Sequence, residues 1–428
     1  MITKIKNSSF LKDTFITFAG QFIVLLTNFI INKMVAIYVG VSQFGVFNIA
    51  KRSATVLGFI VLLELGISVP RYFAMNKHIN RERAYDYYQT GLLLMIIASG
   101  LAIILGIIFS NSISSLLFGS AKYSFLSLPM IIFAIGTCFN TFSFSAYRGA
   151  EYYYLYTVIQ ILIQIIDMIV IFIFRLDGVA TILFFWGISN ILLSIPFLGL
   201  FSFLNQFPIL KKIKSFKKRI KELLIYGLPR IFGDVIQFSY YLLPLVIVNR
   251  EFGKNSSGIF SASTGILQSF LPFFSYIGII LLPTVSKALV DRSLGEVKKQ
   301  LKVLMLLYFA VSIIAVLAGF IFAKPIMIIL YSSKYIRDLT IAKVLLITLV
   351  PRSQFLLLRN PIDAISVKPY NTWNLAISVL LMAVIIILAD NILVIAWSFV
   401  LSDSLLFILS LITWHKLVNK ELKENLNV

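Results

Sequence analysis

Acidic side chains, histidine and cysteine are all scarce in this sequence. Asp and Glu together number 18 among 428 residues, histidine 2 and cysteine 1. The lone Cys138 lies in an apolar run, which excludes a disulfide framework and a cysteine-based metal site. His78 and His415 fall at helix margins, so no histidine metal centre is expected, and no cofactor is implied. Charged residues of both signs reach only 13%, against roughly 25% in soluble domains, which argues against a water-soluble enzyme. No loop is long enough to fold as a catalytic domain; the longest polar stretch runs from about Asn205 to Lys221.

What is abundant is apolar surface and positive charge. Hydrophobic residues make up 59% and the net charge is +20, with a mean hydropathy of +0.93. A nucleic-acid binder would share the charge but not the hydropathy, so no nucleic acid is expected as a partner. A membrane helix needs about 20 apolar residues. Apolar stretches lie at about 10–37, 44–70, 88–110, 124–147, 154–175, 178–204, 222–249, 256–283, 300–323, 340–360, 371–389 and 391–415. These predict an all-α polytopic membrane protein of about twelve spans, several broken by proline at Pro129, Pro196, Pro244, Pro272 and Pro351. Lys4, Lys6 and Lys12 precede a long first run without a small-residue cleavage site, so the first span reads as retained rather than as a signal peptide.

Basic residues set the expected orientation. With the termini on one side, that side collects 23 Lys and Arg against 7 on the other, by position in the sequence. The bias places both termini in the cytoplasm. Lys211, Lys212, Lys214, Lys217, Lys218, Arg219 and Lys221 form a basic linker that reads as topogenic and in contact with anionic lipid.

The chain repeats itself. YVGVSQFGVFNIA at 38–50 aligns with EFGKNSSGIFSAS at 251–263, so that Gly40 meets Gly253, Gly45 meets Gly258 and Phe47 meets Phe260, at an offset of 213. The same offset carries Pro70 onto Pro283, Leu117 onto Leu330, Gly178 onto Asn391 and Asn190 onto Asp403. Two six-helix bundles follow, residues 1–205 and 222–428, joined by the basic cytoplasmic linker 206–221. Each half has an even number of spans, so the halves form a parallel pseudo-twofold repeat about an axis along the membrane normal.

Polar residues recur on single helix faces. Thr14, Thr17, Gln21, Asn28 and Asn32 share one face of span 1, and Arg230, Asp234, Gln237 and Tyr241 share one face of span 7. Span 2 adds Asn48, Lys51 and Thr55; span 5 adds Thr157, Gln160, Gln164 and Asp167. Arg352 and Arg359 lie seven apart in span 10, with no acid at helical spacing inside that span. The uncharged members either line a cavity or seal helices by hydrogen bonds. A charge at membrane depth is costly and usually pairs or lines a wet cavity. Arg230 and Asp234 can pair as i, i+4 neighbours, and Lys51 either faces the cavity or snorkels to the interface. The in-span acids Glu64, Asp167, Asp234 and Asp403 are candidates for ion coupling, although Glu64 also fits an interfacial place. Arg230, Arg352, Arg359, Lys51, Gln21, Asn28, Gln237 and Tyr241 are candidates for holding cargo.

These residues resemble a known family. YVGVSQFGVFNIA after span 1, LELGISVPRYFA closing span 2, YGLPRIFGD opening span 7, and GIFSAS followed by LLPTVSKAL are similar to the polysaccharide-transport flippases of the multidrug, oligosaccharidyl-lipid and polysaccharide exporter superfamily. The resemblance implies two bundles around a central cavity in a bacterial cytoplasmic membrane. It implies no enzyme but a flippase, moving an undecaprenyl-diphosphate-linked oligosaccharide to the outer leaflet for O-antigen or other surface-polysaccharide assembly. Membrane lipids, a glycan polymerase and chain-length proteins would be its partners. The alternatives are a multidrug or cation antiporter or a peptidoglycan-precursor flippase of the same superfamily, and an integral-membrane glycan polymerase. Arginine suits a diphosphate through its planar fork, which favours the flippase.

Overall fold

The computed structural model describes residues 9–207, 213–290, 294–366 and 368–426, with side chains left out at 9–19, 229, 276–280, 282–284, 286–290 and 423–426. Lys211 and Lys212, and the side chains of Thr14, Thr17 and Pro283, therefore lie outside what is described. In chain order the helices are α1 (Ser9–Leu62), α2 (Leu65–Lys77), α3 (Arg81–Ile108), α4 (Ser110–Phe118), α5 (Ser127–Gly149), α6 (Tyr153–Ile173) and α7 (Val179–Leu204). They continue with α8 (Phe216–Val290), α9 (Leu294–Leu330), α10 (Leu339–Ile347), α11 (Leu349–Ile365), α12 (Tyr370–Ile387) and α13 (Ile392–Leu426). Short 3-10 turns at Ala121–Leu126 and Ser333–Asp338 precede α5 and α10. Among the described residues every regular element is helical.

Ten helical stretches among the described residues are long and apolar enough to cross a bilayer. Two of them, Gly20–Lys77 and Phe216–Ser275, hold 58 and 60 residues. At 1.5 Å per residue each would measure about 90 Å, three times a hydrocarbon core of about 30 Å. Each is long enough for two crossings, and two in each would make the twelve expected. Gly40, at φ 76° and ψ 171°, breaks α1, and Gly253, at φ 83° and ψ 173°, breaks α8. That backbone region is essentially reserved for glycine.

The prolines behave differently from expectation. Pro244 and Pro272 lie inside α8, and Pro196 lies inside α7. Pro129 and Pro351 fall in the first turns of α5 and α11, where a missing N–H leaves no helical bond unmade. The sharper break is at Leu63 and Glu64, both left-handed at φ 51° and 55°, between α1 and α2.

The chain forms two compact units, 1–242 and 243–428. In the first, α5 and α7 pass at backbone distance: a Cβ on Gly187 would come within 2.5 Å of the Ile132 carbonyl carbon. Its core is rich in aromatics, with Tyr72 stacked on Tyr87 at 4.7 Å, Tyr85 on Phe207 at 4.1 Å and Tyr88 against Phe201 at 4.8 Å. The Tyr147 hydroxyl donates to the Phe197 carbonyl at 2.6 Å, as a buried phenol needs. In the second unit α12 and α13 exchange hydrogen bonds, Ser378 Oγ to the Ser402 carbonyl at 2.8 Å and Ser402 Oγ to the Ser378 carbonyl at 2.7 Å. Large apolar side chains point outward, Phe203 at 78% exposure and Ile387 at 80%. Exposed apolar surface on this scale is what a lipid-facing wall requires. The chain is a multi-pass membrane protein.

Candidate functional site

The break between α1 and α2 is where charged side chains gather. Gly227 of α8 permits the close approach, since a Cβ there would sit 2.6 Å from the Leu63 carbonyl oxygen and 3.3 Å from the Glu64 Cβ. Glu64 is only 4% exposed, so its carboxyl is enclosed by protein. Its carboxyl lies beside that of Asp234, with the Arg230 charge close by.

Arg230 does not pair with Asp234 among the described residues. Its Nη1 donates to the Tyr226 carbonyl at 2.7 Å, and its guanidinium lies 3.8 Å from the centre of the Tyr226 ring. Arg71 reaches the same tyrosine, with Nη1 donating to the hydroxyl at 3.0 Å and the guanidinium 4.5 Å from the ring centre. Arg148 Nη2 donates to the Gly66 carbonyl at 3.1 Å. Arg71, Arg148 and Arg230 are all exposed, so their forks remain open to a ligand. Sequence counting had placed Arg71 and Arg148 only as topogenic charges; no spacing within one helix could link three residues carried by α2, α5 and α8.

A second cluster lines a cavity of about 340 Å³ within the first unit. Asn28, Lys51, Asp167, Gln164 and Asn190 face it, with Trp186 and Phe133 among its walls. The Lys51 ammonium lies 5.0 Å from the Trp186 ring centre, so it points inward rather than snorkelling outward. Asn28 Nδ2 donates to its own helix at the Val24 carbonyl, 2.9 Å away. Gln21 Nε2 donates to Gln160 Oε1 at 2.6 Å, which is the helix-sealing use of a polar stripe. Gln237 is half-buried. The carbonyl of Tyr241 accepts from Arg52 Nη1 at 2.6 Å.

In the second unit two arginines of the candidate set meet acids. Arg352 Nη1 and Asp403 Oδ1 form an ion pair at 2.9 Å, with side chains 5% and 1% exposed. Arg359 is half-buried. Its helix runs on through Pro361 to Ile365, so Asp363 stands one turn away and acts on Arg359 electrostatically. The expectation that span 10 contains no acid at helical spacing is thereby corrected, because the helix is longer than its apolar stretch. Asn371 Nδ2 ties the two together, donating to Asp363 Oδ1 at 2.7 Å and to the Arg359 carbonyl at 2.8 Å.

The described part of the basic linker is anchored. Lys214 Nζ donates to Glu82 Oε2 at 2.8 Å, and this carboxylate holds the Lys214 ammonium above the usual lysine range. Arg219 Nη1 donates to Glu222 Oε2 at 2.7 Å and to the Tyr87 hydroxyl at 2.9 Å. Lys217, Lys218 and Lys221 stay exposed. Among the described residues no His, Cys, Asp and Glu group could hold a metal ion.

No family model matches the sequence, and no curated protein matches it. Solved structures do. An inward-facing multidrug-resistance transporter of the MATE family, MOP superfamily, aligns over 92% of this chain and 96% of its own at TM-score 0.76 and 13% identity. The fold is that of the MATE transporters. An outward-facing MATE transporter aligns over 94% of this chain and 98% of its own, at TM-score 0.61 and 16% identity. A MOP-superfamily transporter from Pyrococcus furiosus, described as having a binding pocket of reversed polarity that suggests a different function, aligns over 96% and 95% at TM-score 0.68 and 13% identity.

Proposed function

We propose that this protein is an alternating-access flippase that carries an undecaprenyl-diphosphate-linked oligosaccharide from the inner to the outer leaflet of a bacterial cytoplasmic membrane. The observation that carries this reading is the exposed pair Arg71 and Arg230 on Tyr226, with Arg148 bonded to the Gly66 carbonyl of the helix that carries Arg71. By the basic-residue bias it lies at the cytoplasmic end of the spans, where an anionic head enters. Exposed guanidinium forks suit phosphate oxygens bidentately. A polyprenyl tail stays in lipid while the head crosses.

Coupling follows from how the in-span acids are matched. Asp403 faces Arg352, and Asp167 shares its cavity with Lys51. Glu64 and Asp234 face each other. An acid with a built-in counter-ion has little use for a mobile one, whereas two carboxyls in contact hold a proton between them. Glu64 and Asp234 are therefore the proton carriers in this reading. Arg352 supports the fold of the second unit, and Arg359 remains the cargo candidate there.

A multidrug antiporter is the second reading, favoured by the buried Asp167 beside the aromatic Trp186 and Phe133. The two readings separate in proteoliposomes. A flippase exposes a fluorescent undecaprenyl-diphosphate oligosaccharide on the far leaflet under an imposed proton gradient and leaves cationic dyes where they were. Dye export without lipid movement would replace the proposal by the antiporter.

A further inference from the structure

The cavity of the first unit contains acceptors that no described residue satisfies. Asn190 Oδ1 and Gln164 Oε1 are buried and accept no hydrogen bond among the described residues, and Asp167 Oδ1 has only the Trp186 indole N–H beside it. Asp167 is 3% exposed and Asn190 1%. Buried acceptors are normally paired, so these, gathered in one cavity, point to a ligand that brings donors. Lys51 limits which ligand. Its ammonium already supplies the positive charge that Asp167 calls for, so a metal ion or a cationic drug entering this space would meet an uncompensated like charge. What remains is a neutral molecule rich in O–H groups.

We propose that this cavity is a saccharide pocket, taking one neutral pyranose ring through its hydroxyl groups. A sugar hydroxyl both donates and accepts. It can therefore give to Asp167, Asn190 or Gln164 while accepting from Lys51. The apolar face of the ring meets the aromatic wall at Phe133. The cavity of about 340 Å³ has room for a hexose ring. The pocket's role as a sugar subsite of the cargo rests on the flippase reading, while its chemistry does not.

Saturation-transfer NMR on the full chain in detergent, with a panel of neutral methyl pyranosides as probes, tests the pocket. At least one pyranoside should receive saturation from the protein. Its affinity should fall at least tenfold in Asn190→Leu and in Gln164→Leu and stay unchanged in Lys217→Gln, a change at an exposed linker residue. Lys51→Met should lose the sugar and gain binding of tetraphenylphosphonium. Should these variants fail to fold, the native chain still decides, because Cys138 lines the same cavity and is the sequence's single cysteine. Saturating pyranoside should slow its alkylation. The pocket is overturned if the native chain transfers saturation to none of the pyranosides, if the leucine variants bind as well as the native chain, or if pyranoside leaves the alkylation rate of Cys138 unchanged. Pyranoside binding without lipid flipping would sink the flippase reading and leave the pocket standing. Normal flipping in variants that have lost the pyranoside would overturn the pocket as a subsite of the cargo and leave the flippase reading standing.

Discussion

Gly40 and Gly253 stand 213 residues apart and adopt the same glycine-only backbone, φ 76° with ψ 171° and φ 83° with ψ 173°. Each turns the chain between two crossings, and a Cβ at either would meet nothing within 4 Å. Substitution should therefore act through the backbone alone. Gly40→Ala and Gly253→Ala should each destabilise by about 1–3 kcal/mol, read as a lower unfolding midpoint in detergent. Gly100, in a helical conformation with equally open surroundings, supplies the control: Gly100→Ala should be neutral or stabilising by up to about 1 kcal/mol.

The Arg352–Asp403 pair should reveal itself through an asymmetry. Asp403→Leu alone leaves a buried guanidinium charge without its partner and should cost about 3–5 kcal/mol. Arg352→Met combined with Asp403→Leu should recover most of that loss. Membrane abundance and unfolding midpoint check both. A double variant no better than the single would mean that the pair's other contacts, not the charges, hold α11 to α13.

Asp234→Asn and Glu64→Gln should each uncouple transport from the proton gradient while leaving protein abundance and cargo binding near native levels. Vesicle flipping measured across a series of imposed pH gradients decides this. Normal gradient dependence in both variants would remove the carboxyl pair from the mechanism.

For the arginine cluster, Arg71→Gln and Arg230→Gln together should reduce flipping at least tenfold, and the matching Lys substitutions should reduce it less. Lysine keeps the charge and loses the fork. Tyr226→Leu should behave like a weak version of the Gln pair, because it removes the ring that both guanidinium groups lie against. Native flipping by the Gln double variant at normal abundance would exclude these residues as the head-group site.

Topology has its own check. Lys217→Cys, exposed in the linker, should react with an impermeant maleimide in inverted membrane vesicles and not in intact cells. Labelling from outside intact cells would reverse the orientation assigned from the basic residues.

The sequence determined the layers of this protein that depend on composition and period. Twelve runs of apolar residues fix twelve crossings, because the length of an apolar helix is set by the bilayer. The paired glycines at 40 and 253 fix the repeat, because no other residue tolerates that backbone. Helical spacing left Lys51 between the cavity and the interface, and its place beside Trp186 came from the tertiary structure. Only the tertiary structure decided which charges meet. Arg230 and Asp234 share a helix face and yet turn to Tyr226 and Glu64, because Gly227 brings α8 against the break at Leu63 and Glu64. Arg352 finds Asp403 51 residues later in the chain, and Asp167 comes from a different helix to face Lys51. Such pairings depend on close approach between helices far apart in sequence, and periodicity along one helix carries no information about its neighbour.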